Sequence, residues 1–230
     1  VMLIPARESC AGDAAERLRE DVALVSCPVV LIDRLTQCGW CDAVGFDNYL
    51  GGRLAAQYLL EGGHTRIGIV TGDIAESSAA ERRRGFVDAI EQSGKHFDSS
   101  LCVEGDYRFD SGYRAANQII DGGATAVFCC NDVMALGFRQ RMAERGLHVT
   151  EDMQVIGYDN ILKRFGLGWR MTTVEQSVAD LAAACWGMLR ERIDVAVRAK
   201  SGTESGDARP WLSDPQVEVL TPKLVQAACA

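Results

Sequence analysis

Short strands with no polar face alternate with amphipathic helices along almost the whole of this chain, and this alternation is its strongest constraint on the fold. The segments PVVLID, RIGIV, TAVFCC and QVIGY are apolar at nearly every position, so both faces of each strand have to be covered. The segments between them, such as ERRRGFVDAIEQ, have the apolar spacing of helices. Strands of this kind separated by helices form parallel sheets with helices on both faces. The chain is therefore predicted to have an α/β fold.

Charge and hydropathy exclude two classes of partner. The formal net charge is −8 and there is no basic tail, which is unfavourable for a surface that must neutralise phosphates. The chain by itself is therefore not expected to bind nucleic acid. Its longest uncharged apolar stretch, Val22 to Ile32, is shorter than the roughly 18 residues of a membrane-spanning helix, so no membrane association is expected. No signal peptide is visible in the sequence, whose first residue is Val1.

The nine cysteines are scattered, and most lie in apolar runs such as VFCC, a pattern typical of reduced thiols in a cytoplasmic protein. Cys38 and Cys41 match the C-x-x-C pattern of redox and zinc sites. A redox motif precedes a helix, whose N-terminus lowers the thiol pKa, whereas the DAVGF segment after this pair is predicted to be a strand. A zinc site needs a second pair of ligands, which the sequence lacks. The pair is therefore predicted to be dispensable, and no metal or cofactor is expected.

Polar residues follow five of the predicted strands at the point where each strand ends. In open α/β sheets ligands bind beyond the carboxyl ends of the strands, so these residues are candidates for a binding site. Each also has a simpler interpretation as a helix cap, a turn residue or part of a solvated face. Because five strand ends meet at one edge, a shared site for a small polyhydroxylated or heterocyclic ligand is favoured. The candidates are Asp33, Arg82, Tyr107, Asn131 and Asp159.

Catalytic motifs are absent from the sequence. It contains no G-x-G-x-x-G, no Walker loop, no G-x-S-x-G and no H-E-x-x-H. The histidines at positions 64, 96 and 148 lie at predicted helix or loop ends, without an evident carboxylate or nucleophile beside them. The chain is therefore predicted not to be an enzyme.

Several segments occur in the order and spacing of the lactose/galactose repressor (LacI–GalR) family, which this chain resembles from residue 1 to about residue 226. They are PVVLIDR, GGRLAAQYLLEGGHTRIGIVTG, ERRRGF, EGDYRFDSGYRAA, TAVFCCNDVMALGF, VIGYDN, TTVEQS and VEVLTPKLV. The resemblance implies a periplasmic-binding-protein-like (type I) core of two parallel-sheet subdomains joined by three crossovers, with an effector bound between them. It divides the chain into an N-terminal subdomain (1–46 plus 175–208) and a C-terminal subdomain (47–174 plus 209–230). The family's effector contacts fall on the five candidates, Asp33, Arg82, Tyr107, Asn131 and Asp159.

The function implied by this resemblance is that of the effector-binding and dimerisation core of a cytoplasmic transcriptional regulator. Its effector would be a small sugar-like or nucleobase-like molecule, with a sugar preferred. Its other partners would be a second copy of the chain and operator DNA, which would be contacted only through an N-terminal headpiece. A periplasmic sugar-binding receptor of the same fold is the alternative, and the nine cysteines argue against it.

Two departures from the family pattern affect these expectations. Arg170 and Met171 stand where the family usually has Pro-Leu before the Thr-Thr pair. The family's N-terminal headpiece and first two strand–helix units also have no counterpart in this sequence. The segments VMLIP and PVVLID are therefore expected to lack strand partners, and residues 1–46 are expected to be the less ordered part of the chain.

Overall fold

The chain forms two compact units, which we call unit 1 and unit 2. Unit 1 comprises Val1–Phe46 and Ser177–Leu220, and unit 2 comprises Asp47–Gln176 and Thr221–Ala230. The chain therefore passes from one unit to the other after Phe46, after Gln176 and after Leu220; we call these passages the first, second and third chain connections. The computed structural model describes residues 1–5, 12–33, 39–167, 171–201 and 214–227.

Unit 1 is a small parallel sheet with a helix on each face. Its strands and helices are β1 (Met2–Leu3), β2 (Val30–Ile32), β3 (Asp42–Phe46), β9 (Val217–Leu220), α1 (Gly12–Leu24) and α6 (Val178–Ser201). The strands lie in the order β1-β2-β3-β9, and all three pairings are parallel. Val30 and Val44 pack against Cys185 and Leu189 of α6, and Leu31 packs in a separate cluster with Val22 of α1.

Unit 2 contains a six-stranded sheet and four long helices. Its elements are β4 (Ile67–Thr71), β5 (Cys102–Glu104), β6 (Ala126–Cys129), β7 (Gln154–Tyr158), β8 (Thr173–Glu175), β10 (Lys223–Val225), α2 (Asn48–Glu61), α3 (Ser77–Gln92), α4 (Phe109–Asp121) and α5 (Asp132–Glu144). The strand order is β10-β8-β7-β6-β4-β5, and every pairing is parallel except that of β10 with β8. The predicted α/β fold with parallel sheets is thereby confirmed.

The expectation that VMLIP and PVVLID lack strand partners is wrong. Met2 and Leu3 pair with Val30 and Leu31, and β2 pairs on its other side with β3. The backbone groups of β2 are therefore bonded on both sides, because β2 lies between β1 and β3. Only β1 and β9 are at the edges of this sheet in the part of the chain that the structure describes.

The chain connections also differ from the predicted subdomain boundaries. The C-terminal subdomain was expected to take residues 209–230, but β9 pairs with β3 from Val217 opposite Ala43 to Leu220 opposite Phe46. Backbone pairing therefore places β9 in unit 1, and the third chain connection follows Leu220. The second connection falls after Gln176 rather than after residue 174.

Glycines allow the helices of unit 2 to pack in two pairs with their backbones almost in contact. A Cβ atom on Gly52 of α2 would collide with the carbonyl oxygen of Arg82 in α3, and one on Gly85 of α3 would collide with that of Tyr49 in α2. The α4–α5 pair has the same reciprocal arrangement: Gly112 lies against the Met134 carbonyl group and Gly137 against that of Phe109. No side chain larger than hydrogen fits at these four positions, so glycine sets the distance between the helices.

Cys38 of the C-x-x-C pair lies outside the described residues, and so does Arg170. Cys41 is a buried cysteine whose thiol donates to the Val29 carbonyl oxygen at 3.5 Å. The segment after it is strand β3, as predicted. In the described part of the chain, no helix is long and apolar enough to span a membrane.

Substitution Gly85→Ala is expected to lower the free energy of unfolding by about 1–3 kcal/mol, because the new methyl group meets backbone atoms that cannot rotate away. Urea denaturation followed by circular dichroism measures this loss. The matched control is Gly187→Ala in the middle of α6, where a Cβ atom has no neighbour within 4 Å. That variant should keep or gain up to about 1 kcal/mol, since alanine favours helix. Equal stability of the two variants would refute the packing argument.

Candidate functional site

Four of the five candidate residues lie in unit 2, around the edge where its parallel strands end. We call this the carboxyl edge; it is the edge reached by β4 at Thr71, by β6 at Cys129 and by β7 at Tyr158. Tyr107 follows β5, Asn131 follows β6, Asp159 follows β7, and Arg82 reaches the edge from α3. The fifth candidate, Asp33, follows β2 in unit 1 and donates its backbone N–H to the Val44 carbonyl oxygen at 2.8 Å.

Arg82 is a buried cation with neutral partners. It is 5% exposed, its Nε donates to Asn48 Oδ1 at 2.8 Å, and its Nη1 donates to the Cys130 carbonyl oxygen at 2.7 Å. The guanidinium carbon lies 3.8 Å from the centre of the Tyr158 ring, a close cation–π contact. No carboxylate lies within ion-pair distance of it among the described residues.

The Arg82 guanidinium nevertheless stays protonated. Burial by itself lowers the pKa of a guanidinium, but the electrostatic influence of Tyr158, Asp159 and Tyr107 outweighs burial and raises the pKa above its ordinary value. Burial also raises the pKa of Tyr158 to about 12, although the Arg82 charge opposes this change. Arg82 therefore presents a permanent positive charge inside the protein, held by an amide oxygen, a carbonyl oxygen and an aromatic ring.

Tyr107 is held in an unusual conformation beside Arg82. Its φ is 64°, in the left-handed region that few non-glycine residues adopt, and its ring fills the space where Gly72 would otherwise carry a Cβ atom. Burial raises the pKa of Tyr107 to about 12, opposed by the nearby charge of Arg82. The Ser78 side chain also opposes this rise in pKa, but no contact of the Tyr107 hydroxyl oxygen has the geometry of a hydrogen bond. This oxygen is one of three buried side-chain polar atoms without a hydrogen-bond partner in the described part of the chain; the others are Thr71 Oγ1 and Asn160 Oδ1. All three follow or end strands at the carboxyl edge.

Asn131 both caps helix α5 and lies in the candidate site. Its Oδ1 accepts the Met134 N–H at 2.8 Å, which caps α5, and its Nδ2 donates to the Tyr107 carbonyl oxygen at 2.9 Å. A carboxamide has two N–H groups and two lone pairs, so each half of the side chain has capacity for one more bond. Asn131 therefore fixes the Tyr107 backbone and keeps hydrogen-bonding capacity at the edge.

Asp159 stands on a loop that a second carboxylate holds in place. Its φ is 92°, and its N–H donates to the Val174 carbonyl oxygen at 2.8 Å. Fully buried Asp132 accepts the Ile161 N–H with Oδ2 and the Thr173 hydroxyl with Oδ1, each at 2.7 Å. These bonds join the start of α5 to both sides of the Asp159 loop, which explains how the strained backbone persists.

Sequence reasoning missed the polar groups that support these four residues. The side chain that caps α2 is that of Asp47, which accepts the Leu50 N–H at 2.8 Å. The side chain of Asn48 is directed to Arg82 instead. Gln176, in the TTVEQS segment, donates to Asn48 Oδ1 at 3.2 Å and to the Tyr158 hydroxyl at 3.3 Å. Asn48 and Gln176 both lie next to subdomain boundaries that were predicted from the sequence, and this position could have marked them as candidates.

Comparison with known proteins identifies the family of this chain. A profile of the periplasmic binding protein-like domain matches residues 56–208. The repressor PurR of Pasteurella multocida (strain Pm70) is 36% identical over 187 residues, covering 80% of this chain and 56% of that repressor. The PurR repressor of Klebsiella pneumoniae subsp. pneumoniae is 34% identical over 188 residues, covering 80% of this chain and 54% of that protein. This chain belongs to the LacI–GalR family.

Solved structures of LacI–GalR regulators have the same fold. A LacI family regulator from Enterococcus faecium, with bound ribose, matches with a TM-score of 0.78 and 25% identity over 98% of this chain and 78% of that chain. The regulator CelR in complex with cellobiose matches with a TM-score of 0.73 and 26% identity, over 95% of this chain and 71% of that one. The chain spans about half the length of the curated relatives it matches.

These LacI–GalR relatives decide two of the predictions. They are transcriptional regulators, so the prediction that the chain is not an enzyme is confirmed. They do not favour the alternative of a periplasmic sugar-binding receptor.

The pKa of Asp132 generates a prediction about pH. Burial raises this pKa from 3.8 to about 6, although the bonds from Thr173 and Ile161 oppose the change. The folded protein thus holds the proton more tightly than the unfolded chain, and this contribution to stability is complete below pH ~4 and is lost as the pH rises through about 6.

Substitution Asp132→Asn removes this titration. Relative to the variant, the wild-type protein should be more stable at pH 5 than at pH 7.5 by about 1 kcal/mol. Urea denaturation of both proteins at the two pH values gives this difference, and the comparison cancels the titration of every other carboxyl group. The same pH dependence in both proteins would show that Asp132 titrates normally.

Proposed function

We propose that this chain is the effector-binding and dimerisation core of a DNA-binding transcriptional regulator, with a small sugar-like or nucleobase-like effector at the carboxyl edge of unit 2. The observation that carries the proposal is the buried Arg82 cation, whose hydrogen-bond partners are neutral, at the same edge of the sheet as three buried polar atoms without hydrogen-bond partners. Each unpartnered buried polar atom is unfavourable by about 1–3 kcal/mol, so a site that retains three of them is suited to a polar ligand.

The side chains at this edge define the chemistry of the ligand. The Arg82 guanidinium only donates hydrogen bonds, a carboxylate such as that of Asp159 only accepts them, and Asn131 and the Tyr107 hydroxyl do both. A ligand with donors and acceptors on one small ring satisfies this set, and both polyhydroxylated rings and purine-like heterocycles meet that description. A phosphate group fits less well, because Asp159 repels it. Asp33 stays a proposed effector contact on the family resemblance.

Regulation is proposed to follow from a shift between conformations. An effector that binds one arrangement of the protein more tightly than another changes the populations of both. The negative net charge of the chain supports contact with operator DNA through a separate N-terminal headpiece, and the relatives are named as HTH-type repressors. We propose that the protein acts in the cytoplasm, where thiols such as those of buried Cys129 and Cys130 stay reduced.

Substitutions Arg82→Ala and Asp159→Ala are each expected to weaken effector binding by about 30-fold or more, equivalent to about 2 kcal/mol. The reason is that the ligand group facing the missing side chain stays desolvated without a partner. A thermal-shift screen of ribose, cellobiose, hypoxanthine and guanine identifies a ligand, and calorimetric titration of the variants then measures its affinity.

The matched control for this titration is Arg141→Ala. Arg141 also donates its Nε to an asparagine, Asn117 Oδ1 at 2.9 Å, and also lies over a tyrosine ring, that of Tyr113. It is on α5, away from the carboxyl edge, so its loss should leave the affinity within about twofold of wild type. Unchanged affinity in both site variants, or an equal loss in the control, would refute the site.

We also propose that the chain forms a homodimer, supported by exposed apolar side chains on α6 of unit 1. Trp186 is 56% exposed and Ile193 is 38% exposed, and a spacing of seven residues places them on the same face of the helix. The second copy of the chain is the proposed occupant because the family resemblance implies a dimer, and exposed apolar side chains on one helix face suit such an interface.

Substitution Trp186→Glu is therefore expected to shift the protein from dimer to monomer, because a carboxylate at the interface would be desolvated without a partner. Sedimentation velocity at micromolar concentration measures this shift. Phe165→Glu, at an exposed aromatic residue of unit 2, is the control and should leave the dimer intact. A monomeric wild-type protein, or dimeric Trp186→Glu, would contradict the proposal.

A further inference from the structure

One oxygen atom at the start of α2 gathers three donors from separate parts of unit 2. Asn48 Oδ1 accepts the Arg82 Nε–H at 2.8 Å, the Gln176 Nε2–H at 3.2 Å and, at 3.5 Å, the Tyr158 hydroxyl. Gln176 Nε2 also lies 3.3 Å from the Tyr158 hydroxyl oxygen, which closes the network. Asn48 is 8% exposed, so these bonds form almost out of contact with water, where they are stronger.

Two members of this network stand next to chain connections. Asn48 is the second residue of unit 2 after the first connection, and Gln176 is its last residue before the second connection. The cation that we propose as an effector contact is therefore one hydrogen bond from Asn48 and, through the same oxygen, two bonds from Gln176. A shift of the Arg82 guanidinium changes the bonds of both residues.

The first turn of α2 cannot absorb such a shift by itself. A Cβ atom on Gly51 would collide with the Tyr158 hydroxyl group, and one on Gly52 would collide with the Arg82 carbonyl oxygen. Asp47 fixes the helix end by accepting the Leu50 N–H. The first turn of α2 is therefore closely packed and capped. Because closely packed interiors transmit displacements, movement of Arg82 also displaces Asn48.

We propose that Asn48 is a positioning residue that orients the Arg82 guanidinium and couples it to both the first and the second chain connections. The proposal rests on the proposed function of Arg82 as an effector contact and adds how that contact is regulated. An effector that draws the guanidinium towards itself weakens the bond to Asn48 Oδ1 and alters the hydrogen bonds of the residues at both connections. In coupled systems such links typically change affinity by about 5- to 150-fold.

Hydrogen exchange measured by mass spectrometry on the ligand-free protein tests the coupling. Substitution Arg82→Lys keeps the charge but removes Nε–H, and it should accelerate exchange by about threefold or more in peptides covering residues 44–50 and 174–180. In an Asn48→Ala background, which already lacks the acceptor, Arg82→Lys should cause no further acceleration. Asn48→Asp keeps an acceptor oxygen and should exchange like wild type.

Two control variants, Arg141→Lys and Gln154→Ala, distinguish the proposed coupling from a general loss of stability. Arg141→Lys removes the equivalent bond to Asn117 and should leave both peptides unchanged. Gln176→Ala should abolish the effect of Arg82→Lys on residues 174–180 and preserve it on residues 44–50. Gln154→Ala, which removes another glutamine that donates to a tyrosine hydroxyl, should do neither. If Asn48→Ala does not fold, the Gln176→Ala series decides the proposal.

The coupling is refuted if Arg82→Lys changes neither peptide, changes only one, or acts equally strongly without Asn48. Calorimetric titration of ribose and hypoxanthine supplies a separate readout: Asn48→Ala should weaken the binding of whichever probe the wild-type protein binds by about tenfold, and Asn48→Asp should restore it. Absence of binding to wild type counts against the proposed effector class alone, because the exchange measurements need no ligand.

Discussion

A positive charge that is withdrawn from water has to be solvated by the protein, and the Arg82 guanidinium imposes this requirement on unit 2. The protein meets it with the Asn48 amide oxygen, the Cys130 carbonyl oxygen and the face of the Tyr158 ring. Those groups come from the start of α2, the end of β6 and the end of β7. The Arg82 charge therefore fixes how three elements meet at the carboxyl edge. Burial of the guanidinium would be very unfavourable without these partners, so its position and theirs are determined together.

Glycine contacts make that solvation geometrically possible. The α2–α3 pair approaches through Gly52 and Gly85 until backbone atoms touch, which brings the first turn of α2 within reach of Arg82. The α4–α5 pair repeats the arrangement and brings Tyr107, before α4, within a hydrogen bond of Asn131, before α5. Helices in contact through larger side chains lie about 8–10 Å apart, so the glycine contacts bring these polar groups closer together.

The strand ends made most of this site predictable. Tyr107, Asn131 and Asp159 are placed by the rule that ligands bind where parallel strands end, and the rule needs only the apolar strand pattern. The role of Asn48 could not be predicted in the same way, because asparagine and aspartate are equally good caps and neighbouring Asp47 competes for that position. The raised pKa of Asp132 depends on burial by several distant elements, which no local pattern reports.

The position of β9 escaped prediction for a related reason. Its residues Val217 and Val219 are exposed, at 45% and 54%, so their apolar character says nothing about which sheet the strand joins. Pairing with β3 is decided by backbone hydrogen bonds, which every sequence offers equally. The third chain connection was therefore misplaced.

The carboxyl edge combines several features that each oppose stability. Tyr107, Asp159 and Asn160 have positive φ values, and Thr71 Oγ1, the Tyr107 hydroxyl and Asn160 Oδ1 are buried without partners in the described part of the chain. Strain of this kind amounts to about 1–3 kcal/mol for each residue, and selection for stability alone removes it. The buried Asp132 carboxylate accepts two hydrogen bonds that hold the loop carrying two of these residues, and these bonds maintain an unfavourable backbone conformation. A polar ligand that bonds the unpartnered atoms returns part of that free energy on binding, and only to the conformation that presents them. The strain thereby makes the population of this conformation depend on the ligand, which is the property that a regulator requires.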